Sequence, residues 1–124
     1  MIEFLIPIKT VNEANGSHGH WRVKARRRKA QRHSANEACW WALNNYKPRQ
    51  VSLPCVVTMS RLSAGTLDDD NLRVSLKSVR DGIADAFGVA DNDPRIEWRY
   101  AQEKCKCGEY GVMVRIEPSK TNEV

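Results

Sequence analysis

The chain has 124 residues, 41% of them apolar and 28% charged, with a formal net charge of +5. That length and apolar content supply one hydrophobic core and exclude two independent domains. No run approaches the roughly 18 to 20 unbroken apolar residues of a membrane span, and the N-terminus lacks the charged start and small-residue cleavage site of a secretion signal, so a soluble, cytoplasmic protein without a membrane partner is expected.

Taken in chain order, Glu3 to Lys9 is apolar and β-branched enough for a short strand, and Asn12 to Gly19 carries the Asn, Gly and Ser of a turn. From Trp21 to Tyr46 there is neither proline nor glycine, which predicts a long helix ended by Lys47 and Pro48. Its first half is too basic to bury. In its second half Ala38, Cys39, Trp41, Ala42 and Leu43 can pack, and the core is the expected place for Trp40 and Trp41, with an interface as the alternative. Gln50 to Leu62 reads as a strand rich in Val and Thr, with Pro54 hinting at an edge or a bulge, and Ser63 to Thr66 as a flexible connection. A second helix is expected from Asp69 to Phe87, stopped by Gly88. Two last strands, Arg95 to Lys104 and Tyr110 to Glu117, flank a hairpin-like interval at Lys106 to Glu109. Together these elements predict an α+β fold of two layers: a small mixed sheet of about four strands packed by two main helices, in the order β-α-β-α-β-β. One domain would span residues 1–118, followed by a disordered polar tail over 119–124.

The four cysteines do not make a recognisable metal knuckle. Cys39 and Cys55 stand alone, and only Cys105 and Cys107 form a close pair, which on a strand would face one way. Reduced thiols, with Cys39 and Cys55 in the core, are expected.

Charge is segregated along the chain. Between Ser17 and Asn36 there is no acid, while Arg22, Lys24, Arg26, Arg27, Arg28, Lys29 and Arg32 all fall there, with His18, His20 and His33 beside them. Such a segment suits a polyanion, with nucleic-acid phosphates as the expected contacts. Eight of the fifteen acids instead lie between Asp68 and Glu97. Asp68, Asp69 and Asp70 are consecutive, and Asp91 and Asp93 follow. Adjacent carboxylates repel, so beyond the one that caps a helix they call for a compensating partner, commonly a hard cation such as Mg2+.

On the second helix Leu72, Leu76, Val79, Ile83 and Ala86 fall on one side at about 100° per residue. Lys77 and Asp81 return to within roughly 20° of Asp70, forming a polar stripe opposite the core that Arg73 and Arg80 flank. An acidic run, a lysine on its face and a basic grip elsewhere point to phosphodiester chemistry.

These residues resemble the RusA-type Holliday junction resolvases, small endonucleases frequently carried by phages and prophages. The resemblance rests on Asp68-Asp69-Asp70-Asn71 after a strand, then Lys77, then Asp81-Gly82-Ile83, then the Asp91-Asn92-Asp93 turn, and it is close over Leu67 to Ile96. The family places its lysine four residues after its second aspartate, where this chain has Val74, and its later acids are commonly adjacent, where this chain has Asn92 between them. The resemblance implies a Mg2+-dependent endodeoxyribonuclease, with Mn2+ as a substitute, that resolves four-way junctions by paired symmetric nicks in recombination and repair. It implies Asp68, Asp70 and Asp93 as catalytic metal ligands with Asp91 in support, Lys77 as the charge-stabilising lysine, and a homodimer. DNA contacts are expected from Arg22, Lys24, Arg26, Arg27, Arg28, Lys29, Arg32 and Arg73. Two other readings compete: a non-catalytic nucleic-acid-binding protein whose acids cap the helix and pair with Arg73, Arg80 and Arg95, and a metal-dependent nuclease acting on other branched DNA.

Overall fold

A computed structural model describes residues 1–10, 21–45 and 53–119. The expected turn with His18 and His20, the helix end at Lys47 and Pro48, the start of the second strand at Gln50 and nearly all of the tail lie outside the described residues. The elements run β1 (Ile2–Ile6), α1 (Trp21–Asn45), β2 (Cys55–Ser63), α2 (Asp69–Ser75), α3 (Lys77–Phe87), β3 (Ile96–Lys104) and β4 (Gly111–Pro118). The expected α+β class and element order hold, with the second helix in two pieces. No described helix is long and apolar enough to cross a membrane.

The sheet order is β1-β4-β2-β3. β2 pairs parallel with β3, from Cys55 opposite Ile96 to Ser63 opposite Lys104, and antiparallel with β4, while β4 pairs antiparallel with β1. The last two strands are therefore not a hairpin, because β2 lies between them. The reason is burial: Cys55, Val56, Val57 and Met59 leave almost no surface exposed, so β2 takes a central position with a strand on each side. For the same reason Pro54 marks neither an edge nor a bulge; it stands just before β2, where its missing N–H costs no ladder bond. β1 ends at Ile6, earlier than expected, because Pro7 brings no donor to the ladder.

One face of the sheet carries the core. Ile2, Ile6, Val57, Met59, Ile96, Val112, Val114 and Ile116 meet Leu72, Leu76, Val79 and Ile83 from α2 and α3, the apolar stripe expected from helical spacing. α1 buries Gln31, Ala35, Cys39 and Ala42, at intervals of one turn. Its small side chains allow a close approach to α3 at Gly82, where an added Cβ would stand 2.2 Å from the Arg32 carbonyl oxygen. Trp40 and Trp41 do not join the core; they are 55% and 63% exposed. Both stand more than about 100° around the helix from the Ala35–Cys39–Ala42 stripe. Cys39 and Cys55 are buried, and burial pushes their thiols up to about 12 and about 11. Cys105 and Cys107 fall in the turn after β3, not on a strand.

The helix break falls at Leu76, whose φ and ψ of −103° and 2° leave the helical region. Neither proline nor glycine causes it. The Ser75 hydroxyl donates back to the Leu72 carbonyl at 2.8 Å, competing with the backbone ladder at that turn. Gly88 ends α3 in the left-handed conformation, with φ of 74°, as expected of a helix stop.

Candidate active site

The acidic run lies where β2 hands over to α2, outside the carboxyl end of a parallel strand, the position at which open α/β sheets place ligands. Two devices hold it there. Buried Arg61 donates to Thr10 Oγ1 at 2.8 Å and to the Gly65 carbonyl at 3.2 Å, fixing the connection into α2. The Gln102 side chain accepts from Leu67 N–H at 2.9 Å and donates to Leu67 O at 2.6 Å, tying the same connection to β3. Asp68 then caps α2, accepting from Asn71 N–H at 2.9 Å. Asp69 and Asp70 occupy the first turn, where the helix dipole favours negative charge, and both are exposed without an ion pair among the described residues.

Lys77 opens α3. Its ammonium donates to Asp81 Oδ1 and to Asp91 Oδ2, each at 2.7 Å. Desolvation alone would lower its pKa, but the two hydrogen bonds and the attraction of both carboxylates outweigh it and raise it. Asp91 is lowered, chiefly by its hydrogen bond from Lys77. Its backbone is held as firmly as its carboxylate. The Asp91 carbonyl accepts from Arg80 Nη2 at 2.7 Å, from Arg80 Nε at 3.2 Å and from Trp98 Nε1 at 2.9 Å, so three donors set how the turn before β3 presents its acid to Lys77. Asp93 instead turns to Arg95, which donates to both of its oxygens, at 3.0 and 2.8 Å, and holds its carboxyl down to about 2.

Of the four expected carboxylates, Asp68 caps α2, Asp91 pairs with Lys77 and Asp93 with Arg95, while Asp70 has no ion pair among the described residues. Among the described residues no three His, Cys, Asp or Glu side chains come together to hold a metal. Asp68 and Asp70 nevertheless fit a Mg2+ ion in donor chemistry, because Mg2+ is commonly held by one or two carboxylates and completes its shell with water and substrate phosphate. Asp91 serves Lys77, and Asp93 serves Arg95.

The basic helix meets this constellation. Arg28, Lys29, Gln31 and Arg32 of α1 and Val74, Lys77, Ser78 and Asp81 of α2 and α3 line one groove of about 390 Å³. Asp70 precedes Val74 by one helical turn, on the groove side of α2. The cations of α1 are not equivalent. Arg26 and Lys29 are exposed to solvent. Arg32 instead makes a two-pronged bond to Asp85 at 2.7 and 2.8 Å, which fastens α1 to α3 and lowers the Asp85 pKa through that bond. Arg22 lies over the Trp21 ring, and His33 pairs with Glu37 one turn away. Arg73 is exposed and lies over the Tyr100 ring, 5.5 Å from its centroid.

Sequence reasoning missed Arg61, Gln102, Trp98 and Tyr100. The last two carried a readable signal, since alternate residues after Ile96 on a strand share its inward face. Arg61 and Gln102 carried none, because their role depends on partners 51 and 35 residues away. Comparison with protein-family models, with curated proteins and with solved structures found no match for this chain.

Proposed function

We propose that this protein is a Mg2+-dependent endodeoxyribonuclease of branched DNA, cutting four-way junctions by paired symmetric nicks, as its resemblance to RusA-type resolvases implies. The observation that carries the reading is the shared groove: cations of α1 and Lys77 line the same channel, together with Val74, which follows Asp70 by one turn of α2. A phosphate backbone lying along that channel meets positive charge on one wall and the motif lysine on the other. Mg2+ bound by Asp68 and Asp70 would supply charge neutralisation at the scissile phosphate. Lys77, kept protonated by Asp81 and Asp91, stabilises the charge that develops on the leaving oxygen. The α1 cations hold phosphates without reading bases, so selection is by DNA shape. A four-way junction presents two symmetric strands, and a homodimer acting in the cytoplasm would supply one site for each.

One set of observations favours the non-catalytic reading. Asp68 is a helix cap, Asp91 is paired with Lys77 and Asp93 is paired with Arg95, so these acids already have partners within the chain. Two substitutions separate the readings. In a nuclease, Asp70→Asn and Lys77→Met abolish cleavage of a junction in Mg2+ while junction binding persists, strengthened in Asp70→Asn by the loss of a negative charge. Junction binding that ignores Mg2+, with no cleavage by the unaltered protein, supports the binding module instead. Equal cutting of flaps and junctions in competition would identify a broader branched-DNA nuclease.

A further inference from the structure

A second groove lies on the other side of α2, against the outer strand of the sheet. Asp69, Leu72 and Arg73 line one wall and Trp98, Arg99 and Tyr100 the other, around a volume of about 430 Å³. That is within the range of small-ligand sites, which run from about 300 to 1,000 Å³. Its floor is rigid. The Tyr100 hydroxyl accepts from Arg80 Nη1 at 2.9 Å, and the same arginine lies over the Trp98 ring at 4.9 Å while gripping the Asp91 carbonyl. The aromatic pair is thus tied through Arg80 to the turn that positions Lys77.

Arg73 completes the shelf. Its guanidinium carbon lies over the Tyr100 ring, 5.5 Å from the centroid, and takes no carboxylate among the described residues, so its N–H donors remain for a ligand. One turn earlier, Asp69 lines the groove as an exposed acceptor without an ion pair among the described residues. A planar cation over an aromatic ring, with a carboxylate lining the same groove, has the chemistry that recognises a nucleobase. Bases stack on arginine planes and aromatic faces, and a carboxylate accepts from an exocyclic amino group. Only a base outside the duplex stack can reach it, and a branch point is where such bases occur.

We propose that this groove seats one unpaired nucleobase of the DNA, stacked on the Arg73–Tyr100 shelf, and that Asp69 selects bases bearing an exocyclic amino group over thymine. The inference rests on the DNA-binding part of the function proposed above but not on cleavage. It assigns a role to Asp69, the one acid of the Asp68–Asp70 run that neither caps the helix nor faces the Lys77 groove.

The test is fluorescence anisotropy without divalent metal, using a paired duplex and the same duplex with one unpaired cytosine or one unpaired thymine. The unpaired cytosine is expected to tighten binding about ten-fold over the paired duplex, and thymine much less. Arg73→Lys keeps the charge and loses the plane, so the cytosine-to-paired ratio should fall towards one. Tyr100→Phe keeps the ring and should keep most of the ratio. Asp69→Asn should remove the preference for cytosine over thymine. A ratio near one in the unaltered protein, or a ten-fold ratio that survives Arg73→Lys, overturns the nucleobase site and leaves DNA binding intact. Failure of the unaltered protein to bind any of the three DNAs, or a four-way junction in the same assay, overturns the proposed function itself.

Discussion

Lys77 shows how single side chains set the behaviour of the site. Asp81 and Asp91 raise its pKa against desolvation, so its contribution to stability is fully present below the ordinary lysine value of about 10.4 and is lost only as pH rises through the higher folded value. The carboxylates run the other way. Asp85, Asp91 and Asp93 are lowered by hydrogen bonds from Arg32, Lys77 and Arg95, so what they contribute is present above the ordinary value of about 4 and lost as pH falls through their folded values. The melting temperature is therefore expected to hold steady from about pH 5 to 9 and to fall below about pH 4. Asp85→Asn should flatten part of that fall, because the partner of Arg32 then carries no titrating proton at any pH. An acid limb identical in the variant would show that Arg32–Asp85 does not couple to folding. At this scale the sequence was readable where the rule is local, as in the Asp68 cap, and opaque where the partner is distant, as for Arg61 with Thr10 or Arg80 with the Asp91 carbonyl.

Between elements, α1 and α3 approach closely, and Gly82 makes that possible. Alanine there gains helix propensity of about 1 kcal/mol in isolation. In this fold its Cβ would stand 2.2 Å from the Arg32 carbonyl oxygen and 2.7 Å from the Ala35 Cβ, and a backbone carbonyl cannot swing aside as a side chain can. Gly82→Ala should therefore destabilise by about 1–3 kcal/mol, read as a lower urea midpoint at unchanged slope. A raised midpoint would mean that the helices separate without cost. Helical periodicity made the stripe of Leu72, Leu76, Val79 and Ile83 readable, and with it the α+β class. It did not reveal the break at Leu76, where the Ser75 hydroxyl turns back onto the Leu72 carbonyl. Nor could strand patterning show that β2 separates β3 from β4, because neighbouring strands in sequence usually pair and only the burial of β2 on both sides requires otherwise. Trp40 and Trp41 were misplaced by composition, since aromatic content argues for the core while helical angle decides against it.

At the scale of the whole molecule, one groove joins the two charged segments of the chain: Arg28, Lys29 and Arg32 of α1 on one wall, Lys77 and Asp81 of α3 on the other. Phosphate binding by α1 should make affinity fall steeply with salt, and each contact removed should lower the slope of log affinity against log salt by about one. Replacing Arg26, Arg28 and Lys29 by alanine is expected to weaken binding to junction and linear duplex alike and to lower that slope by up to about three. An unchanged slope would move the DNA path off α1. The central claim is that this groove serves phosphodiester cleavage at a branch. Its most direct test is to incubate a four-way junction, labelled on each strand in turn, with the protein in the presence and absence of Mg2+, beside a linear duplex of the same sequence. Paired nicks at symmetric positions, dependent on Mg2+ and absent from the linear duplex, are the predicted result. Tight junction binding with every strand intact in Mg2+ and in Mn2+ would contradict it and leave the aspartates as a helix cap and internal ion pairs.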